Sequence, residues 1–183
     1  MRRVLPLTVL LGVIAGLVLY VQAAEPSWYY RLRYPLSYDQ IIRGHAENYN
    51  LEPALLAAVV YQESKFDAEA RSDAGAVGLM QLRPDTAKGI AARTGGSKFR
   101  VDDLTNPEIN VRYGSWYLRH LLDKYKNEQL ALAAFNAGQG NVDSWRQQGK
   151  GIAFAETRHY VARVQKLKGI YRDAYAKQLG LSS

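Results

Sequence analysis

The chain has no cysteine among its 183 residues, which excludes disulfides, thiolate metal sites and cysteine nucleophiles together. Histidine is scarce as well. His45, His120 and His159 are the only three, and none stands at metal-site spacing from carboxylates, so we read them as surface or packing residues and expect neither metal nor organic cofactor. A serine-hydrolase elbow and a phosphate-binding glycine loop are also missing, which removes two large enzyme classes. The sequence shows no internal repeat, no low-complexity tract and no convincing alternating strand pattern.

What is present is enough for one globular domain with a short appendage, since 48% of the residues are apolar and 22% are charged. The net charge is +7; removing residues 1–23 takes away Arg2 and Arg3 and leaves 22 basic against 17 acidic residues, a net of +5. The domain itself is therefore basic and attracts polyanions. Its lysines and arginines are scattered and no recognised nucleic-acid motif occurs, which argues against a nucleic-acid partner.

Arg2 and Arg3 precede an apolar run from Val4 to Val21, broken only by Pro6, Thr8, Gly12 and Gly16, and no charge follows until Glu25. That pattern directs export, so the domain is expected outside the cytoplasm, at the outer face of the cell membrane or in the wall or periplasm. Two fates stay open. Val21-Gln22-Ala23 offers small residues for a peptidase, whereas about 18 apolar residues are just enough to span a bilayer. Trp28, Tyr29 and Tyr30 would then form an interfacial aromatic belt. The expected organisation is a signal peptide or transmembrane anchor over 1–24, an extended juxtamembrane connector over 25–36, and a folded domain over 37–183.

Within that domain the periodicity is helical. Ser37 and Gln40 have capping-box spacing ahead of Ile41, Ile42, His45 and Tyr49, predicting a first helix that ends near Asn48. Pro53 suits the first turn of a buried helix that runs through Ala54–Gln62 to Glu63 and Ser64. From Phe66 to Leu82 the pattern dissolves into a loop or small hairpin. Further helices follow from Asp85 to about Arg93, after the Asn106-Pro107 cap, over Glu128–Phe135 and over Glu156–Leu179, with another turn near Asn141–Arg146. About seven helices and no strand make the class mainly α.

Glu63 stands apart because the residues one and two turns before it on its own face are Val59, Val60 and Leu56, none of which solvates a carboxylate. Its pKa is expected to be raised, and a carboxyl kept partly protonated near neutrality suits proton donation to a departing sugar oxygen. Taken alone, this segment is read first as a glutamate at a helix end that points into water.

Three blocks weigh on that choice. ESKFDAEARSDAGAVGLMQL (Glu63 to Leu82), AAFNAGQGNV (Ala133 to Val142) and FAETRHYV (Phe154 to Val161) resemble, in order and spacing, the soluble lytic transglycosylase family of lysozyme-like enzymes. The resemblance covers roughly residues 38–175. It implies a goose-type-lysozyme-like helical domain with a loop or hairpin after the catalytic helix, acting on peptidoglycan glycan strands as a monomer, and attached to the membrane if the amino-terminal segment is retained. It places the catalytic acid and base on Glu63, with Ser64 orienting substrate. Gly78, Met80 and Gln81 fall in the block that walls the sugar cleft, with Met80 against a sugar face and Gln81 on an acetamido group. Leu79 reads as core.

Phe135 stands where the family usually has tyrosine, so the wall is kept and a hydroxyl lost; Asn136 remains a substrate or scaffold contact. Glu156 and Tyr160 belong to the third block and are read as substrate-binding, with a structural ion pair between Glu156 and Arg158 as the alternative. No second catalytic carboxylate stands out, since Asp67, Glu69, Asp73 and Asp85 suit solvated or capping roles. The implied chemistry needs none: cleavage of the β-1,4 bond between N-acetylmuramic acid and N-acetylglucosamine, closed by the muramic acid's own 6-hydroxyl. The alternatives are a lysozyme-type hydrolase on the same fold, which an aspartate facing Glu63 would favour, and a catalytically weak peptidoglycan-binding protein.

Overall fold

The computed structural model describes residues 7–24 and 26–181, in two compact units, Met1–Pro35 and Leu36–Ser183. In the first, α1 (Leu7–Ala24) is an 18-residue helix on which Leu10, Val13, Ile14 and Leu17 are exposed. At about 1.5 Å per residue it is about 27 Å long, just under the ~30 Å of a bilayer's hydrocarbon core. Among the described residues no helix is long and apolar enough to cross a membrane. Arg2, Arg3 and the start of the apolar run lie outside the described residues.

The connector is not wholly extended, because Ser27–Arg33 forms a short helix, α2. Prolines bracket it rather than break it. Pro26 precedes the first turn, where no backbone donor is needed, and its carbonyl accepts from the amides of Tyr29 (2.9 Å) and Tyr30 (3.3 Å).

The second unit holds α3 (Asp39–Asn48), α4 (Pro53–Ser64), α5 (Pro84–Thr94), α6 (Pro107–Tyr125), α7 (Glu128–Ala137), α8 (Gln139–Gln147) and α9 (Ala155–Tyr175). The mainly α expectation holds. A 3-10 turn over Val101–Thr105 was not foreseen. Tyr38 adopts a left-handed conformation (φ 56°) before α3, which delays the helix to Asp39, so the expected Ser37–Gln40 capping box does not form. Asn106 caps α6 as its sequence implies, accepting from the amides of Glu108 (3.0 Å) and Ile109 (3.2 Å).

α4 is the central helix. Every residue from Ala54 to Val60 is buried, as an all-round apolar helix must be, and burying each of its leucines and valines contributes about 1.5–3 kcal/mol. It packs chiefly on α9 and also on α3, while α6 packs on α7, α3 and α5. Where α4, α7 and α9 meet, Lys168 bridges Glu52 (2.9 Å) and Glu128 (2.8 Å), and Arg172 Nε donates to Glu52 (2.9 Å). Burial alone would raise the Glu52 pKa, but the hydrogen bonds from Lys168 and Arg172 outweigh it and hold the carboxyl below its ordinary value. This staple fixes the frame from which Glu63 emerges at the other end of α4.

After α4 the chain forms a small hairpin, with isolated antiparallel bridges between Arg71 and Val77 and between Val77 and Leu82.

Candidate functional site

Glu63 lies in the last turn of α4 and opens into a cavity of about 550 Å³, a size that suits sugar-scale ligands. One wall is the hairpin, through Ser72, Ala76, Gln81 and Leu82; the other is Tyr117 of α6, Phe135 and Asn136 of α7, and Glu156 of α9. Glu63, Gln81, Phe135, Asn136 and Glu156 are thus brought to one cleft from segments far apart in sequence.

The Glu63 carboxyl has its pKa raised to about 7, chiefly because burial disfavours the charged form. A hydrogen bond from the Tyr160 hydroxyl (2.6 Å to Oε1) opposes that rise. Tyr160 is itself buried, and burial together with the adjacent Glu63 charge pushes its own pKa well up, so it donates its proton without losing it. A carboxyl in this state can both give and take a proton near neutral pH.

Three residues expected on the substrate are turned elsewhere. Met80 does not face a sugar. It is fully buried and lies against Gly114 of α6, where any side chain would collide with its sulfur. Leu79 is core, as expected. Ser64, expected to orient substrate, is turned to the scaffold: its hydroxyl donates to the carbonyls of Leu79 (2.9 Å) and Val60 (3.2 Å), tying the hairpin to α4. Tyr160, expected on the substrate, reaches the acid instead. Gln81 lines the cleft, but its amide nitrogen donates to the carbonyls of Ala70 (3.1 Å) and Gly78 (3.0 Å), which leaves Oε1 as its open acceptor.

Gly78 serves geometry. Its φ of +80° and its approach to the Leu104 carbonyl and the Asn110 side chain leave no room for a Cβ.

The anchor of this wall is Asn110, which sequence reasoning missed. Fully buried on α6, it accepts from the Met80 amide (2.7 Å) and donates to the carbonyls of Val77 (2.9 Å) and Leu104 (2.8 Å). The available signal was an amide one turn before Gly114 on the apolar face of a long helix.

The opposite wall keeps more of its polar surface open. Asn136 is exposed and accepts from Thr157 Oγ1 at 2.9 Å, leaving its amide nitrogen for a ligand. Glu156 is exposed and makes no ion pair with Arg158, which donates to the carbonyls of Ile152 (2.9 Å) and Ala153 (2.6 Å). The ring of Phe135 packs 5.6 Å from that of Tyr117, a cleft residue on α6 that the motif blocks do not include.

His45 is buried and pairs with Glu108 (2.8 Å), and His120 stacks on Trp116. Among the described residues no group of His, Asp or Glu is arranged to hold a metal ion.

Residues 40–157 match the family described as the transglycosylase SLT domain. The chain is 30% identical over 163 residues to the soluble lytic murein transglycosylase of Salmonella typhimurium, covering 82% of this chain and 25% of that protein. It is 35% identical over 150 residues to a putative soluble lytic murein transglycosylase of Haemophilus influenzae, covering 75% and 25%. Among solved structures it resembles an inactive Glu-to-Gln mutant of the lytic transglycosylase Slt from Pseudomonas aeruginosa, with 32% identity, a TM-score of 0.73, and coverage of 84% of this chain and 26% of that one. A similar match is a 70 kDa soluble lytic transglycosylase in complex with bulgecin A, with 28% identity, a TM-score of 0.75, and coverage of 84% and 27%. The chain spans about a quarter of the length of these relatives.

Proposed function

The chain belongs to the transglycosylase SLT family, and from that premise we propose that it is a peptidoglycan lytic transglycosylase with Glu63 as its acid and base. The observation that carries the reading is the buried Glu63 carboxyl, raised to about 7 and held by Tyr160 in a sugar-sized cleft.

In the proposed reaction Glu63 gives its proton to the glycosidic oxygen as the bond from that oxygen to C1 of N-acetylmuramic acid breaks. The substrate's acetamido carbonyl stabilises the charge at C1. The 6-hydroxyl oxygen then bonds to C1, and its proton passes to Glu63, restoring the acid. The product is a 1,6-anhydro sugar and no water is consumed. Tyr160 acts through Glu63 as a positioning residue, Asn136 and Gln81 offer one donor and one acceptor to acetamido groups, and the scheme needs no cofactor.

A hydrolase on the same fold is the second reading, and Glu156 is the observation that favours it, because its exposed carboxylate lines the same cleft. Among the described residues no aspartate lines it, which supports the anhydro-forming route. The full chain and its Glu63→Gln variant, each incubated with purified peptidoglycan, separate the readings by product mass. Muramyl ends one water lighter than hydrolytic ones, absent with the variant, are expected. Full-mass reducing ends would make the protein a lysozyme, and no products from either protein would leave a glycan-binding role.

Segment 1–24 is proposed to direct export, supported by an uncharged helix exposed on its apolar faces. Sequencing the amino terminus of the protein recovered from cell envelopes decides between cleavage after Ala23 and retention as an anchor.

A further inference from the structure

We propose that Phe154 is a sugar-stacking platform at the rim of the cleft, taking the C–H face of a hexose next to the bond being cut. The inference rests on the glycan-strand reading above and deepens it.

Among the described residues of the unit Leu36–Ser183, Phe154 alone is an exposed large hydrophobic side chain, at 49% of its full accessible surface. A single exposed apolar residue needs no explanation in itself. What distinguishes this one is how firmly it is held. Its ring stands edge-on to the buried indole of Trp145, with centroids 4.9 Å apart and planes at 81°, a geometry aromatic pairs favour. The two carbonyls just before it, Ile152 and Ala153, both accept from the Arg158 guanidinium. Its own carbonyl accepts the Arg158 amide (3.1 Å) in the first turn of α9.

Position supplies the ligand. Phe154 is two residues before Glu156, which lines the cleft, so the two backbones lie within about 7 Å. A fixed, half-exposed aromatic ring two residues along the chain from a cleft-lining carboxylate fits an amphipathic pyranose, whose axial C–H face would lie on the ring while its hydroxyl and acetamido groups turn to donors and acceptors such as Asn136. The opposite wall offers no aromatic ring to the cavity, so a glycan strand would be gripped by aromatics on one side and by the hairpin's backbone and amides on the other.

The test measures binding of chitohexaose, a peptide-free β-1,4 N-acetylglucosamine hexamer, to the full chain carrying Glu63→Gln, by calorimetry. Adding Phe154→Ala is expected to weaken binding roughly fivefold or more, adding Phe154→Leu to weaken it similarly despite the retained apolar bulk, and adding Phe154→Tyr to preserve it within about twofold. Unchanged binding with Phe154→Leu, or equal losses with Phe154→Leu and Phe154→Tyr, would overturn the platform, the second pointing to a general disturbance of the loop. If the Glu63→Gln chain binds no hexaose and the unmutated chain releases nothing from peptidoglycan, the glycan-strand reading falls and the platform with it. A chain that still cleaves peptidoglycan while Phe154→Leu binds as before sinks the platform alone.

Discussion

The two walls of the cleft are built on different terms. On the hairpin side the side chains that the sequence motif brings forward are turned into the protein: Met80 is buried against Gly114, Ser64 holds the Leu79 carbonyl, and the Gln81 amide holds Ala70 and Gly78. On the α7–α9 side Asn136 and Glu156 face the cavity with much of their polar surface open. The hairpin has no regular strand pairing of its own, so its shape depends on side chains reaching out from neighbouring helices. The helical wall has satisfied backbone already and can leave side chains to a ligand. A dense motif can therefore mark a scaffold as readily as a set of ligand contacts.

The sharpest way to break this comparison is Asn110→Ala. It removes three hydrogen bonds and strands the Met80 amide and the Leu104 carbonyl in the interior, while the Val77 carbonyl keeps the Leu82 amide (3.1 Å), at a cost of about 3 kcal/mol. Urea denaturation would measure it, and a loss under about 1 kcal/mol would mean that the hairpin stands without its anchor.

Glu63→Gln tests the junction of the two walls. The folded-state pKa near 7 lies above the ordinary 4.5, so the folded protein favours the protonated carboxyl, and stability is lost as pH rises from 4.5 through 7. The variant is expected to be more stable than the unmutated protein at pH 8 by at most about 3 kcal/mol, since the carboxyl opens onto the cleft. That advantage should vanish by pH 4. Thermal melts at the two pH values show it, and equal stability at pH 8 would contradict the burial.

Tyr160→Phe has a smaller and more specific effect. It deletes a bond that favours the charged carboxylate, so the Glu63 pKa rises further. The alkaline fall of kcat/KM should move to higher pH, whereas a purely structural role would lower the rate without moving the profile. Smallest of all is the effect of Glu156→Gln on stability, expected within about 0.5 kcal/mol, alongside a higher KM. Met80→Leu should give the reverse: a measurable core cost, under about 1.5 kcal/mol, with KM unchanged.

The sequence read well where local chemistry decides. The apolar run of α4, the Asn106 cap and the surroundings of Glu63 each follow from residues within a turn or two of one another. It read poorly where a partner comes from afar. Met80 and Leu79 are adjacent apolar residues in a glycine-rich loop, and nothing local tells that Gly114, 34 positions on, leaves room for the sulfur. Tyr160 meets Glu63 across 97 residues, a contact that only the packing of α9 on α4 creates. In the connector, expected to be extended, Pro26 and Pro35 stand outside a helix of 7 residues. Tyr117 was hidden for a different reason, since the same helical spacing serves a core face and a cleft face.

The proposed acid and base role turns on the protonation state of one carboxyl, and the direct measurement is a carbon-detected NMR titration of Glu63 in the full chain, assigned by its absence in Glu63→Gln. A midpoint near 7, moving upward in Tyr160→Phe, is the predicted result; a midpoint near the ordinary 4.5 would show a solvated carboxylate and contradict its role as the acid.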